Sequence, residues 1–271
     1  MAFKGTVGFV GAGKMGGALI EGIIGSGLLG ADSISVFDAD AARMEELSTR
    51  LKVKVAGTAR EAVERSDAVF ICVKPDQFGA VAGEIKAGWK TRKPAVVSVM
   101  AGVRAAKISE ALGSDVSVAR AMPNVACLIR RGVSGVALDP SAPSEVNDFV
   151  FGVFEALGGA VKVAETKLDA VTALSGSGPA YVFMFIEALA DAGVKMGLDR
   201  AVSEKLAVLT VSGAAAMAER PGANTLQLRA SVSSPGGTTV AATAALERAG
   251  FRGVVIDAVE KAKERAVELG A

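Results

Sequence analysis

Between the apolar run Thr6-Val7-Gly8-Phe9-Val10 and the helical pattern Ala18-Leu19-Ile20-Glu21 stands Gly11-Ala12-Gly13-Lys14-Met15-Gly16, which restricts the possible folds more than any other stretch. Strand, glycine-rich turn and helix in that order open a βαβ unit. Gly11 suits the tight turn, Gly13 lets the backbone approach a pyrophosphate, and Gly16 lets the helix pack closely on the strand. The first amides of the new helix lack intrahelical partners and attract an anion. The motif in this context favours dinucleotide binding over a purely structural glycine turn.

The rest of the first half repeats the theme. Ser33–Asp38 reads as a second strand, ending in an acid 22 residues beyond Gly16. A carboxylate there suits the adenosine ribose of NAD, whereas Arg43 nearby suits the extra phosphate of NADP. Alternatively Asp38 only caps the helix beginning near Ala39. The residues leave these readings open. Ala68–Val73 is an unbroken apolar run, as in a central parallel strand buried on both faces. It ends in Lys74-Pro75, where Lys74 reads as a structural or cofactor-side residue in preference to a catalytic acid. Ala95–Met100 repeats the pattern before Ala101-Gly102. Helical patterns alternate with these strands at Ala39–Leu51, Thr58–Arg65, Phe78–Ala87 and Arg104–Leu112. Such alternation predicts a doubly wound, Rossmann-type sheet. Val116–Ala119 leads into Arg120-Ala121-Met122-Pro123-Asn124, placed to face a nicotinamide. Val133–Ala137 and Ala160–Val163 read as added strands around a helix at Ser144–Ala156.

From about Thr166 the pattern turns wholly helical, with helices expected at Leu168–Ala173, Ala180–Met196, Arg200–Glu219, Thr238–Ala249 and Gly253–Leu269. The expected division is a dinucleotide-binding domain over residues 1–165 and an all-helical domain over 166–271. The helix from Ala180 is apolar around its circumference, which predicts burial on all sides. Hydrophobic residues make up 51% of the chain and mean hydropathy is +0.40, so apolar surface is left over for an oligomer interface. A membrane span is disfavoured, because the charge-free stretch Ala170–Ile186 is broken by Gly176, Gly178 and Pro179. Lys+Arg minus Asp+Glu is 30 − 29 = +1, with no basic block to suggest nucleic acid. Cys72 and Cys127 form neither a metal spacing nor a disulfide framework, which suits a reducing cytoplasm. Histidine is absent, which removes the Ser-His-Asp triad, a histidine base and histidine metal ligands, so no metal site is expected. Near the end, Ser233-Ser234-Pro235-Gly236-Gly237-Thr238-Thr239 leads into an alanine-rich helix. That is either a plain helix cap or a nest of amides and hydroxyls for a small carboxylate.

GFVGAGKMG at Gly8–Gly16, VKP at Val73–Pro75, AMPN at Ala121–Asn124, SGSGPAYVFMFIEALADAG at Ser175–Gly193, SSPGGTT at Ser233–Thr239 and GFR at Gly250–Arg252 occur in that order. Together they make the chain resemble pyrroline-5-carboxylate reductase, from Val7 to about Glu268. The glycine motif is widespread, whereas the SGSGPAY and SSPGGTT stretches are specific. The resemblance implies a C-terminal dimerisation domain and hydride transfer from NADPH or NADH to the C=N carbon of 1-pyrroline-5-carboxylate, giving L-proline. It places the substrate carboxylate on Ser234, Gly237, Thr238 and Thr239, with the Thr239 hydroxyl near the ring nitrogen as the catalytic group. It places the coenzyme on Val10, Gly11, Ala12, Gly13, Lys14 and Met15, on Cys72, Val73, Lys74 and Pro75, and on Val99, Met100 and Ala101, to which the residue reading adds Asp38 as a candidate coenzyme ligand. It implies a homodimer, or a decamer built from dimers, with sites between subunits. Asp38 stands where many members carry a small polar residue, Asn224-Thr225-Leu226-Gln227 looks inserted, and Ser231 replaces a frequent asparagine. A 3-hydroxyacid dehydrogenase is the rival enzyme, but no lysine falls between Lys167 and Lys195. A non-catalytic coenzyme-binding protein would need no carboxylate nest.

Overall fold

The computed structural model describes residues 3–89, 94–113 and 116–270. The chain divides into two compact units, Met1–Ser177 with Ala262–Ala271, and Gly178–Lys261. The first unit is built on β1 (Val7–Val10), α1 (Lys14–Gly25), β2 (Ile34–Phe37), α2 (Ala41–Leu51), β3 (Lys54–Val55) and α3 (Ala59–Val63). It continues through β4 (Ala68–Ile71), α4 (Phe78–Ala87), β5 (Ala95–Ser98), α5 (Ala105–Leu112) and β6 (Val118–Met122). Last come β7 (Gly132–Ala137), α6 (Ser144–Glu155), β8 (Gly158–Lys162) and α7 (Leu168–Val171).

The strands form one sheet in the order β3-β2-β1-β4-β5-β6-β7-β8, parallel except for the antiparallel pair β6–β7. The direction of strand addition reverses between β1 and β4, which opens a crevice at their carboxyl ends. Register makes that crevice even: Val10 pairs with Phe37 on one side and Ile71 on the other. Gly11, Asp38 and Cys72 therefore leave the sheet side by side.

Alternating side chains feed two cores, one on each face. Phe9 and Phe70 point to the first, stacked at 4.8 Å, with Leu19, Ile20 and Ile23 of α1 and Val153 and Phe154 of α6. Val10, Val69 and Ile71 point to the second, with Ile85 of α4 and Ile108 and Leu112 of α5. Burial on both faces is why these strands read as unbroken apolar runs.

The sequence reading missed two elements. β3 has two residues, both exposed, too few for a period-two signal. The Asn224–Gln227 stretch, read as an insertion, begins a helix, α10 (Thr225–Ser231), because the Asn224 side chain accepts hydrogen bonds from the Leu226 and Gln227 amides. The helix after β2 begins at Ala41 with Asp40 as its cap, whose side chain accepts from the Arg43 amide. Asp38 is therefore not that cap.

The second unit contains α8 (Gly178–Lys195), α9 (Arg200–Ala218), α10, α11 (Thr238–Arg248) and the first half of α12 (Phe251–Gly270). α8 and α9 approach closely at Gly193, where a Cβ would stand 2.6 Å from the Ser203 hydroxyl. The expectation that α8 is buried on all sides is not met within one chain. Only Ala190 of α8 is buried, and Phe183 and Met184 are 56% and 69% exposed. An all-round apolar helix requires cover, but its own sequence does not say which molecule supplies it. By length and composition, the helical stretches Glu165–Lys195 and Arg200–Ala218 would suffice to cross a membrane.

Candidate functional site

The turn after β1 is shaped for a ligand. Gly11 has φ +97°, and a Cβ there would lie 2.7 Å from the Cys72 carbonyl carbon. A Cβ on Gly16 would strike the Gly11 carbonyl, so helix and turn meet without room for a side chain. Gly13 differs: a Cβ would find nothing within 4 Å. It caps α1 with no side-chain hydrogen bond, so no cap side chain satisfies the first amides of the helix. Nothing in the packing of the first unit requires glycine at position 13, whereas a pyrophosphate lying against the backbone does.

Beyond the turn lies a cleft of about 570 Å3 lined by Val10, Gly11, Gly13, Asp38, Cys72, Val73 and Lys74, with Phe37, Arg43, Gln77 and Val81 among its other walls. Half of the coenzyme residues expected from the sequence thus meet at the switch point. Ala12 contributes its amide, which donates to Asp38 Oδ2 at 2.7 Å. Lys14 opens α1 and lines a neighbouring hollow with Arg43 and Arg50, while Met15 packs against the core. Lys74 is exposed and precedes the turn Pro75–Gln77, its amide donating to Gln77 Oε1 at 3.4 Å. Burial pushes the Cys72 thiol far above its ordinary pKa, so it serves the cleft as a small neutral wall.

Val99, Met100 and Ala101 follow β5 and do not line this cleft. The Val99 amide donates to the Ile71 carbonyl at 3.2 Å, fixing the turn beside the end of β4. The Met100 side chain is buried, so the turn presents backbone. Sequence reasoning passed over what anchors it. Arg120, on β6 and 5% exposed, reaches the Met100 carbonyl at 3.5 Å and pairs with Glu165 at 3.1 Å. Glu165 also accepts from the Ala105 amide at 2.7 Å. The available signal was a charge inside the apolar strand Val118-Ala119-Arg120-Ala121, which demands a partner.

The second loop lies in the helical unit, before α11. Gly236 has φ +69° and Gly237 caps α11. The Gly237 amide donates to the Ser234 carbonyl at 2.9 Å, folding the loop so that the Ser234 hydroxyl lies where a Gly237 Cβ would stand. The first backbone bond of α11 runs from Ala241 to Gly237 at 3.2 Å, so the amides of Thr238 and Thr239 lie ahead of the helical ladder. Thr243 Oγ1 donates to the Thr239 carbonyl at 2.9 Å, which steadies that turn. Ser234, Gly237, Thr238 and Thr239 are therefore gathered at one helix N-terminus, where the Ser234 hydroxyl and the Thr238 and Thr239 amides form a cluster of donors. Among the described residues, no group of three His, Cys, Asp or Glu side chains is placed to hold a metal ion.

Two family models match the chain, one in each half. Residues 165–269 match the family model described as pyrroline-5-carboxylate reductase dimerisation, and residues 6–102 match one described as NADP oxidoreductase coenzyme F420-dependent. The pyrroline-5-carboxylate reductase of Methanosarcina acetivorans is 39% identical over 264 residues, 97% of each chain. The solved structure of a pyrroline-5-carboxylate reductase from Coxiella burnetii superposes with a TM-score of 0.94 at 32% identity, covering 99% of this chain and 100% of the other. A pyrroline carboxylate reductase from Plasmodium falciparum, solved with NADP bound, gives 0.86 at 30% identity over 99% of both chains.

Proposed function

The chain belongs to the pyrroline-5-carboxylate reductase family, and on that premise we propose how its residues reduce 1-pyrroline-5-carboxylate to L-proline with NAD(P)H. Residues 1–165 hold the coenzyme, with the pyrophosphate against Gly11–Met15 and the rest along Asp38, Cys72–Pro75 and Val99–Ala101. Residues 166–271 supply the substrate loop and the dimer face. The observation that carries the reading is the donor cluster at the start of α11. A carboxylate there accepts from the Ser234 hydroxyl and the amides of Thr238 and Thr239, with Gly237 shaping the turn, helped by the helix dipole.

Bound NAD(P)H supplies the hydride that the imine carbon receives. A protonated cyclic imine is already electrophilic, so a chain without histidine lacks nothing essential. What its residues must do is hold the ring. The α11 loop fixes the carboxylate, and the Thr239 hydroxyl hydrogen-bonds at the ring nitrogen, where the iminium proton remains as the amine N–H. Orientation of this kind supplies much of the barrier reduction. A second copy covers the apolar face of α8 in a homodimer, or in a decamer built from such dimers.

The test is loss of reduced-nicotinamide absorbance on adding 1-pyrroline-5-carboxylate. The wild type oxidises coenzyme, and Thr239→Ala lowers turnover while coenzyme binding is retained. One hydrogen bond to a charged group is worth about 1.5–3 kcal/mol, so the loss is roughly ten- to hundredfold. Unchanged turnover would remove Thr239 from the mechanism. No oxidation, in protein shown to bind coenzyme, would refute the assignment.

A further inference from the structure

The cleft wall after β2 carries the feature that separates NADH from NADPH. The Asp38 side chain is 14% exposed and lines the cleft. Its Oδ2 accepts from the Ala12 amide at 2.7 Å. Its Oδ1 accepts from the Asp40 amide at 3.0 Å and from Arg43 Nη1 at 3.1 Å. The carboxylate is thus held at the lip of the glycine turn by three donors, one on that turn, one on the loop after β2 and one on α2. A carboxylate has about four lone-pair positions, so one acceptor position remains for a ribose hydroxyl.

Arg43 is the cation that would receive a 2′-phosphate, but it is already engaged. Nη1 pairs with Asp38 at 3.1 Å and Nη2 with Asp40 at 3.1 Å. Two carboxylates around one guanidinium leave this corner with net charge −1. A phosphate of charge near −2 arriving there meets repulsion from Asp38 and finds the arginine fork occupied. The ribose hydroxyls carry no charge, and one of them donates into the open acceptor position of Asp38. Lys14 and Arg50 line the adjoining hollow, but so do Glu21 and Glu46, and Arg50 pairs with both acids, at 2.6 and 3.6 Å.

We propose that Asp38, held by Ala12 and Arg43, makes this chain an NADH-preferring reductase that reads the free adenosine ribose and rejects the 2′-phosphate. The proposal rests on the dinucleotide lying in the cleft beside Gly11–Met15, as assigned above.

The experiment is equilibrium titration of the full chain with NADH and NADPH, followed by the fluorescence of the reduced nicotinamide. Competition by 5′-AMP and by adenosine 2′,5′-bisphosphate provides a readout independent of turnover. NADH binds tighter by on the order of ten- to hundredfold, as expected for a partly screened charge repulsion, and 5′-AMP competes better than the bisphosphate. Asp38→Asn keeps an oxygen for the Ala12 amide, removes the charge and turns its NH2 toward the Asp40 amide and Arg43, so it narrows both ratios while the protein stays folded with a lowered unfolding midpoint. Equal or tighter binding of NADPH by the wild type overturns the proposal, as does an Asp38→Asn protein that stays folded and keeps the wild-type ratios. Failure of both coenzymes to bind overturns the placement of the dinucleotide as well. Binding of NADPH alone spares that placement and overturns only the preference.

Discussion

Replacing Gly11 and Gly13 by alanine in turn separates folding from coenzyme binding within one motif. At Gly11, a non-glycine residue at φ +97° costs about 1–2 kcal/mol in backbone strain. Its Cβ would also lie 2.7 Å from the Cys72 carbonyl carbon and 2.8 Å from the Val73 nitrogen. Those are backbone atoms of the neighbouring strand end, so relief requires β1 and β4 to shift, an overpacking cost of about 1–3 kcal/mol. The sum, about 2–5 kcal/mol, is a large part of the roughly 5–15 kcal/mol that holds a domain together. It lowers the melting temperature by roughly 5–20 °C for a unit of this size. At Gly13, φ is −59° and a Cβ touches nothing, so Gly13→Ala costs less than about 1 kcal/mol. In the proposed coenzyme site it does stand in the path of the pyrophosphate. Hydrogen bonds to a charged acceptor are worth about 1.5–3 kcal/mol each, so losing one weakens coenzyme binding about tenfold or more. The assay is urea unfolding of coenzyme-free protein beside a fluorescence titration of reduced coenzyme. Equal midpoints for the two variants, or a Gly13→Ala protein with wild-type affinity, would refute the reasoning.

Two further predictions concern the frame around the site. Glu165→Gln leaves the buried Arg120 guanidinium without its anion; because Glu165 is itself 39% exposed, the cost is about 1–3 kcal/mol, read as a lower urea midpoint that Arg120→Met combined with it largely restores. Asp139 is partly desolvated, which raises its pKa, but the Ser141 hydroxyl and the amides of Ser141 and Val118 outweigh this and hold it below the ordinary 3.8. Its contribution to stability is present above that value and fades as pH falls through the lower folded value. Asp139→Asn is therefore less stable than wild type at pH 7, and the gap closes on acidification; a gap independent of pH would rule out this role.

The first half of the molecule was largely legible in the sequence, because each signal there is local. Glycines at 11, 13 and 16 are demanded by one turn, and the apolar runs at Val7–Val10, Ala68–Ile71 and Ala95–Ser98 report strands covered on both faces. The Ser234–Thr239 loop was legible too, since turn residues and the following helix are contiguous. Asp38 was not. Its three readings, ribose ligand, phosphate neighbour and helix cap, differ only in which donors come within 3 Å, and its decisive partner, the Ala12 amide, lies 26 residues away.

Short-range signals sufficed for the layered sheet, the glycine turn after β1, the helical second half and the turn that opens α11, because periodicity and glycine placement act over a few residues. Two other outcomes depended on which strands become neighbours and at what register. These are the holding of Asp38 by the Ala12 amide across the ends of β2 and β1, and the anchoring of the turn after β5 by Arg120 through Glu165. The bareness of α8 within the single chain belongs with them, since hydrophobicity states that a surface must be covered and only three-dimensional packing shows whether the chain itself supplies the cover.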